Sequence, residues 1–388
     1  MKRLASLDAF RGFDMFWIMG GEGLACALAA LFGFPDFRSS FDHVPWNGLQ
    51  FMDTVFPTFL FMAGVSFPFS CAKSVEKGLS RRQIAFKAVR RGLTLFVLGL
   101  VYNGFLARLD FANFRIPSVL GYIGFGWMCA ALVYLYVKNV WARIGVAVGI
   151  LAAVTLFFGL VSAPDEAETL ARIGAAASGG KPLWWASLYA PFGAGPFTPA
   201  GHFGCYLDRV VLGSHALSPI FDNEGFGGLL PTVVTAMLGM FAGEIVRRGG
   251  SAATGRKALA LLGAGAACLV AGLALSLYYP VIKNVWSPSF VLVVASYSYA
   301  MFAVFYWIVD VKGFAKWAFF FRVIGVNSIT IYLAQQCVRV QGVSDFFLGG
   351  LARHLPADWG RLVAALGYIA VCWLFLFFLD RKKTYLKV

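Results

Sequence analysis

Residues 41–64 read FDHVPWNGLQFMDTVFPTFLFMAG. A polar knot, Asp42-His43-Val44-Pro45-Trp46-Asn47-Gly48, stands directly before an apolar run that opens at Leu49. The run carries an acid, Asp53, and a proline, Pro57, in its first turns. An apolar run of this length, without the alternation of a strand, predicts a helix that uses lipid as its solvent. His43 then sits at the mouth of that helix, where a side chain that both takes and gives a proton near neutral pH has chemical value.

The rest of the chain agrees with a membrane setting. Its 388 residues are 59% hydrophobic and only 13% charged, against about 25% charged in soluble domains. The net charge of +14 raises the question of nucleic acid, but the basic residues fall in short clusters between apolar runs, as topology signals do. The basic start at residues 1–3 is followed by Asp8, Arg11 and Asp14, with no small-residue cleavage site, so the first helix is expected to be retained. Seven scattered cysteines give neither a disulfide framework nor a CxxC metal pair.

The length rule places about ten spans, near residues 10–32, 51–71, 87–106, 117–137, 143–162, 226–246, 257–278, 289–310, 319–338 and 361–380. The fold expected is an all-α, polytopic membrane protein forming one integral-membrane domain. The short link 138–143 predicts a tight hairpin between the fourth and fifth spans. Lys and Arg number 22 on one set of connecting segments and 10 on the other. That bias puts both termini in the cytoplasm and turns His43 and the 163–225 loop outward. In a bacterial host this is the inner membrane, with His43 toward the periplasm. The first part of the loop, rich in Ala, Gly and Ser, reads as loosely structured; the second, rich in aromatics, reads either as a lid or as a plain connector.

Ionisable residues inside spans are costly and usually paired or functional. Asp8 and Arg11, three apart, share a helix face and read as an interfacial pair. Asp14 lies deeper and is placed to line a pathway. Glu22, in Gly20-Gly21-Glu22-Gly23, needs a partner at its depth. His43 has Asn47 and the Trp46 indole as nearby donors, and Asp42 and Asp53 to orient the ring. A base held by a carboxylate with donors beside it suits acyl transfer, although the spacing alone names no reaction. His202, His215 and His354 lack metal-ligand spacing and read as surface residues. Arg115, Asp208-Arg209 and Lys283-Asn284-Val285-Trp286 read as interfacial anchors or contacts for a polar ligand, with Trp and Lys favouring the anchor. Asn327 and Ser328 suit interhelical hydrogen bonds.

Further motifs give these residues a common context. They are Ser6-Leu7-Asp8-Ala9-Phe10-Arg11-Gly12, His43-Val44-Pro45-Trp46-Asn47-Gly48-Leu49, Asp53-Thr54-Val55-Phe56-Pro57 and Arg115-Ile116-Pro117-Ser118-Val119-Leu120. Tyr206-Leu207-Asp208-Arg209, Phe221-Asp222-Asn223-Glu224-Gly225, Lys283-Asn284-Val285-Trp286-Ser287, Val309-Asp310-Val311-Lys312-Gly313 and Asn327-Ser328-Ile329 follow in the same order. Together they resemble the heparan-α-glucosaminide N-acetyltransferase family, over nearly the whole chain. The resemblance implies a polytopic enzyme that takes acetyl from cytosolic acetyl-CoA and delivers it to the amino group of a glucosamine-type sugar across the membrane. The family's active-site histidine carries over to His43. Glu22 stands where the family has an asparagine, and Ala334-Gln335-Gln336 where it has Gly-His-Glu.

On this reading the catalytic candidates are His43, as general base or acetyl carrier, with Glu22 or Asp53 orienting it and Asn47 holding the thioester or oxyanion. Trp46, Asn327, Ser328, Arg11 and Asp14 are candidate acetyl-CoA contacts. Arg115, Asp208, Lys283 and Asn284 are candidates for the acceptor. The expected partners are acetyl-CoA as co-substrate, an amino-sugar or glycan acceptor and the lipid bilayer, with no metal and no nucleic acid; a homodimer is an expectation from the family alone. Two alternatives stay open: an O-acetyltransferase of an envelope glycan, and a proton-coupled sugar or acyl transporter.

Overall fold

The computed structural model describes residues 4–178, 183–248 and 253–386; the basic start 1–3 and Lys181 fall outside these. Among the described residues there is no strand, only two isolated bridges. α1 (Ala5–Phe16) and α2 (Glu22–Leu31) are joined by a π turn, Trp17–Gly21. α3 (Phe51–Glu76), α4 (Arg81–Tyr102), the single turn α5 (Phe105–Arg108), α6 (Val119–Tyr136) and α7 (Val140–Leu160) follow. The segment between α7 and the next long helix holds α8 (Glu166–Ser178), α9 (Trp184–Tyr189) and α10 (Phe203–Leu207). Then come α11 (Leu229–Arg247), α12 (Gly255–Ser276), α13 (Pro288–Phe305), α14 (Phe319–Val326), α15 (Ser328–Cys337), α16 (Val340–His354) and α17 (Ala357–Arg381).

Eight helical stretches among the described residues are long and apolar enough to cross a membrane. The other two expected spans are helical too, with a reason for each difference. α4 opens on Arg81, Arg82, Lys87, Arg90 and Arg91, so only its second half is apolar. The ninth is cut into α14 and α15 at Asn327, whose backbone leaves the helical region (φ −126°, ψ 28°). The first span is also interrupted, since Gly20 adopts φ 118°, a conformation that costs glycine little. The expected hairpin of the fourth and fifth spans splays instead: α6 packs on α4 and α11, and α7 on α11 and α13. Arg143, at the head of α7, reaches Glu244 of α11 at 2.9 Å, and this buried pair draws α7 to α11.

α3 is the centre of the bundle, packed along α11 and against α6, α13 and α1. Small residues permit that closeness: a side chain at Gly64 would strike the Ala236 carbonyl, and one at Gly239 the Phe61 carbonyl. α1 crosses α14 in the same way at Gly12 and Gly325. Two apolar clusters fill the bundle on either side of α3.

The 163–225 segment folds as a lid. The described residues of its first part, to Ser178, are not loose, since α8 buries Thr169 and Ile173; residues 179–182 lie outside the described residues. Ile173, Trp185, Tyr189, Ile220 and Phe221 share a core with Trp46, Tyr279 and Ile282. His202, expected at the surface, is wholly buried in this region (0% exposed). Its Nε2 lies 2.7 Å from the Tyr279 hydroxyl, and its Nδ1 accepts from the Gly204 N–H. Burial and the nearby Arg209 push the imidazole down to about 3, so it stays neutral.

Candidate active site

The polar knot before α3 is clamped from two sides. Gly48 N–H donates to the Val281 carbonyl at 2.8 Å, and Asn284 donates to the Pro45 carbonyl at 2.8 Å. On the lid side, the Trp46 indole donates to the Phe197 carbonyl at 2.7 Å. Two segments far from the knot in sequence, the 281–284 turn and the lid at Phe197, thus hold residues 43–48 in one shape. Trp286, expected at an interface, is instead buried at 1% exposure between Phe56, Tyr122 and Phe290. That burial anchors the turn carrying Lys283.

His43 and Asp53 meet at this clamp, with Nδ1 and Oδ1 2.6 Å apart. The ring is 58% exposed and the carboxylate is fully buried. The Gln50 backbone N–H donates to the other oxygen, Oδ2, at 3.0 Å. Lys283 joins them: its ammonium lies 2.9 Å from His43 Nδ1 and 3.1 Å from Asp53 Oδ1. With Nδ1 turned to the carboxylate, Nε2 lies on the far side of the ring, away from it. A carboxylate that fixes a histidine by one nitrogen leaves the other as a base or nucleophile.

Of the three acids expected beside His43, Asp42, Asp53 and Glu22, the structure brings only Asp53 into hydrogen-bond distance of it. Glu22 begins α2, half-buried, with no hydrogen bond or ion pair among the described residues. Asn47 keeps an exposed side chain, and its backbone forms a bridge with Ile282. Asp14 is buried in α1, and its Oδ2 has no hydrogen-bond partner among the described residues.

Arg115 forms a second cluster. It donates to both oxygens of the fully buried Asp222, at 2.8 and 2.5 Å, and to Glu224. Lys283 lies within electrostatic reach of Glu224. Burial raises the Glu224 carboxyl, an effect that Arg115 opposes. Asp208, a candidate acceptor contact, serves the lid instead: its oxygens accept from the backbone N–H groups of Asp222 and Phe226. Burial pushes it up to about 7. His215 bonds the Phe114 carbonyl at 2.8 Å.

Two cavities run inward between α1, α3, α4, α6 and the α14–α15 break. One is apolar, walled by Met15, Ile18, Phe56, Leu120, Ile123 and Tyr332. Phe56 is one turn beyond Asp53, and Tyr332 stacks on Tyr102 at 4.4 Å between ring centroids. The other, about 230 Å³, has Arg11, Arg91, Asn327, Ser328 and Thr330 in its wall. The two share Phe59, Ser328 and Ile329. Arg11 also pairs with Asp8 at 3.9 Å, as expected, and bonds the Met62 carbonyl. Asn327 is nearly fully buried, and its amide reaches the Thr384 carbonyl. Sequence reasoning missed Arg91, Thr330, Tyr332 and Glu224 as site residues. Arg91 carried one usable signal, as the last arginine before α4 turns apolar.

The chain is 27% identical to human heparan-alpha-glucosaminide N-acetyltransferase and 25% identical to the mouse protein of that name, in each case over all of its own length. The chain is a relative of the heparan-alpha-glucosaminide N-acetyltransferases. It spans about 60% of the length of these curated relatives. No protein-family model matches the chain. The resemblance read from the motifs is thus borne out along the whole chain. All the motif residues that meet at the clamp, His43, Asp53, Lys283 and Asn284, lie within the part similar to these N-acetyltransferases.

Proposed function

We propose that this protein is a membrane acetyltransferase that moves acetyl from acetyl-CoA on the cytoplasmic side to the amino group of a glucosamine-type sugar on the outer side. In a bacterial cell it would sit in the inner membrane, with His43 toward the periplasm. The observation that carries the reading is the His43–Asp53 pair at the head of α3, whose next turn, at Phe56, walls an apolar cavity that shares Phe59, Ser328 and Ile329 with one lined by arginines. Arg11 and Arg91 suit the phosphates of acetyl-CoA, and the apolar cavity, about 30 Å³ as it stands, has walls of the right chemistry for the pantetheine arm but would have to open to take it. The thioester would then lie toward Phe56 and Tyr332, near the histidine.

Asp53 holds the ring by Nδ1, and the Nε2 lone pair takes a proton from the acceptor ammonium. The pair left on nitrogen attacks the thioester carbon. The C–S bond breaks with its electrons on sulfur, and the second nitrogen proton ends on that sulfur. On this reading Glu224 and Arg115, on the Lys283 side, would contact the acceptor.

The test uses detergent-purified protein, radiolabelled acetyl-CoA and glucosamine. Wild type should yield labelled N-acetylglucosamine. His43→Ala should lose at least about 10²-fold in rate, the usual scale of acid–base catalysis, while still binding acetyl-CoA. Transfer only to hydroxyl acceptors would move the reading to O-acetylation. No acetyl-CoA binding at all would end it and favour a transporter.

A further inference from the structure

Lys283 has no role in the reaction just described, and sequence alone assigned it to the acceptor. Its position argues otherwise. The ammonium sits within 3.1 Å of both His43 Nδ1 and Asp53 Oδ1, and its side chain is only 15% exposed. A surface lysine placed for a mobile acceptor would extend into solvent; this one is folded back under the ring. Its backbone is held by the same turn that Asn284 ties to Pro45 and the buried Trp286 anchors.

The ring nitrogen Nδ1 has one in-plane site. It carries either a proton, given to Asp53, or a lone pair, accepting from Lys283. In the first state Nε2 is a free base and Lys283 pairs with Asp53 alone. In the second Nε2 carries the proton and the ring has no basic nitrogen to offer outward. Asp53, at 2.6 Å against 2.9 Å for Lys283, is the nearer partner of Nδ1, so the ring takes the first state and Lys283 pairs with the carboxylate. The ammonium also opposes any second proton on the ring, because imidazolium would place two cations side by side. The charged groups facing His43 are Asp53 from α3, Lys283 from the turn before α13 and Asp42 in its own segment; Glu224 acts through Lys283.

We propose that Lys283 is a positioning residue for His43: its ammonium pairs with the Asp53 carboxylate, holds it against Nδ1 and opposes a second proton on the ring, so that Nε2 is left to meet the incoming ammonium. This rests on His43 being the base of the proposed reaction. It makes Lys283 part of the proton-handling group, with Glu224 and Arg115 left to the acceptor.

The experiment reads the ring directly and needs no turnover. Histidine-labelled full-length protein in detergent is titrated by NMR, with His43→Ala used to assign the resonance among the four histidines. In Lys283→Met the His43 protonation midpoint should rise by about one pH unit, a tenfold gain in proton affinity. Lys283→Arg, which keeps the charge, should restore the wild-type midpoint and show that the fold is intact. The pH dependence of transfer should move by the same amount in Lys283→Met. An unmoved midpoint in Lys283→Met overturns the proposal. So does a Lys283→Met enzyme with an unchanged pH profile and a raised KM for the amino sugar, which would return Lys283 to the acceptor. Loss of transfer in wild type with the expected NMR shift would leave the Lys283–His43 coupling standing and discard only the reaction.

Discussion

At the scale of single residues, the outer site depends on two ion clusters with different duties. His43, Asp53 and Lys283 form a small, partly exposed group suited to moving a proton. Arg115, Asp222 and Glu224 form a more enclosed group suited to holding shape. Asp222 is fully buried, and Arg115 donates to both its oxygens, the bidentate geometry only arginine offers. Removing the guanidinium would strand a buried carboxylate. Arg115→Leu should therefore cost about 3–5 kcal/mol of stability, read as a lowered thermal midpoint. Arg115→Lys should recover only part, since a point charge cannot bridge both oxygens. A midpoint unchanged in Arg115→Leu would show that Asp222 needs no partner.

At the scale of elements, the lid is the part whose structure composition concealed. Residues 163–225 supply little apolar length, yet they form a core by borrowing Trp46, Tyr279 and Ile282 from outside the segment. The neutral, buried His202 makes that core sensitive to acid. Its folded value of about 3 lies below the ordinary histidine value near 6.5. Stability from this group is complete above about pH 6.5 and is lost as pH falls from there toward 3, because only the unfolded lid takes the proton. The loss should reach about 1.4 kcal/mol per pH unit. Hydrogen exchange in residues 184–225 should quicken between pH 7 and pH 5, and less so in His202→Gln. Equal pH dependence in both proteins would remove His202 as the cause.

At the scale of the whole molecule, the reading needs a protein open at two faces. Asp53, in the first turn of α3, leads one turn on to Phe56 in the wall of the apolar cavity, and Arg11 and Arg91 stand in the wall of the other. The Lys and Arg count predicts that the arginine-lined cavity faces the cytoplasm. In a cysteine-free background, a cysteine placed at Asp42 should react with an impermeant thiol reagent added outside intact cells. One placed at Arg82, at the start of α4, should react only after the membrane is opened. Labelling of both from the same side would rule out transfer across the membrane.

The sequence by itself determined the helical membrane fold and the span positions to within a few residues, and it singled out His43 as the candidate reactive centre. Continuous apolar runs and a lone histidine beside an acid are local signals, readable without neighbours. It also determined the family resemblance, because ordered motifs survive at 27% identity. Tertiary structure alone decided which acid meets His43, that Lys283 meets it too, and that His202 is buried. Asp53 and Glu22 look equally eligible in sequence, and Lys283 lies 240 positions from His43. Contacts of that range are made by packing: small residues bring α3 and α11 together, and Trp286 fixes the turn that carries the lysine. The cavities were likewise hidden, since an empty volume belongs to no residue and arises only where six helices fail to close on one another.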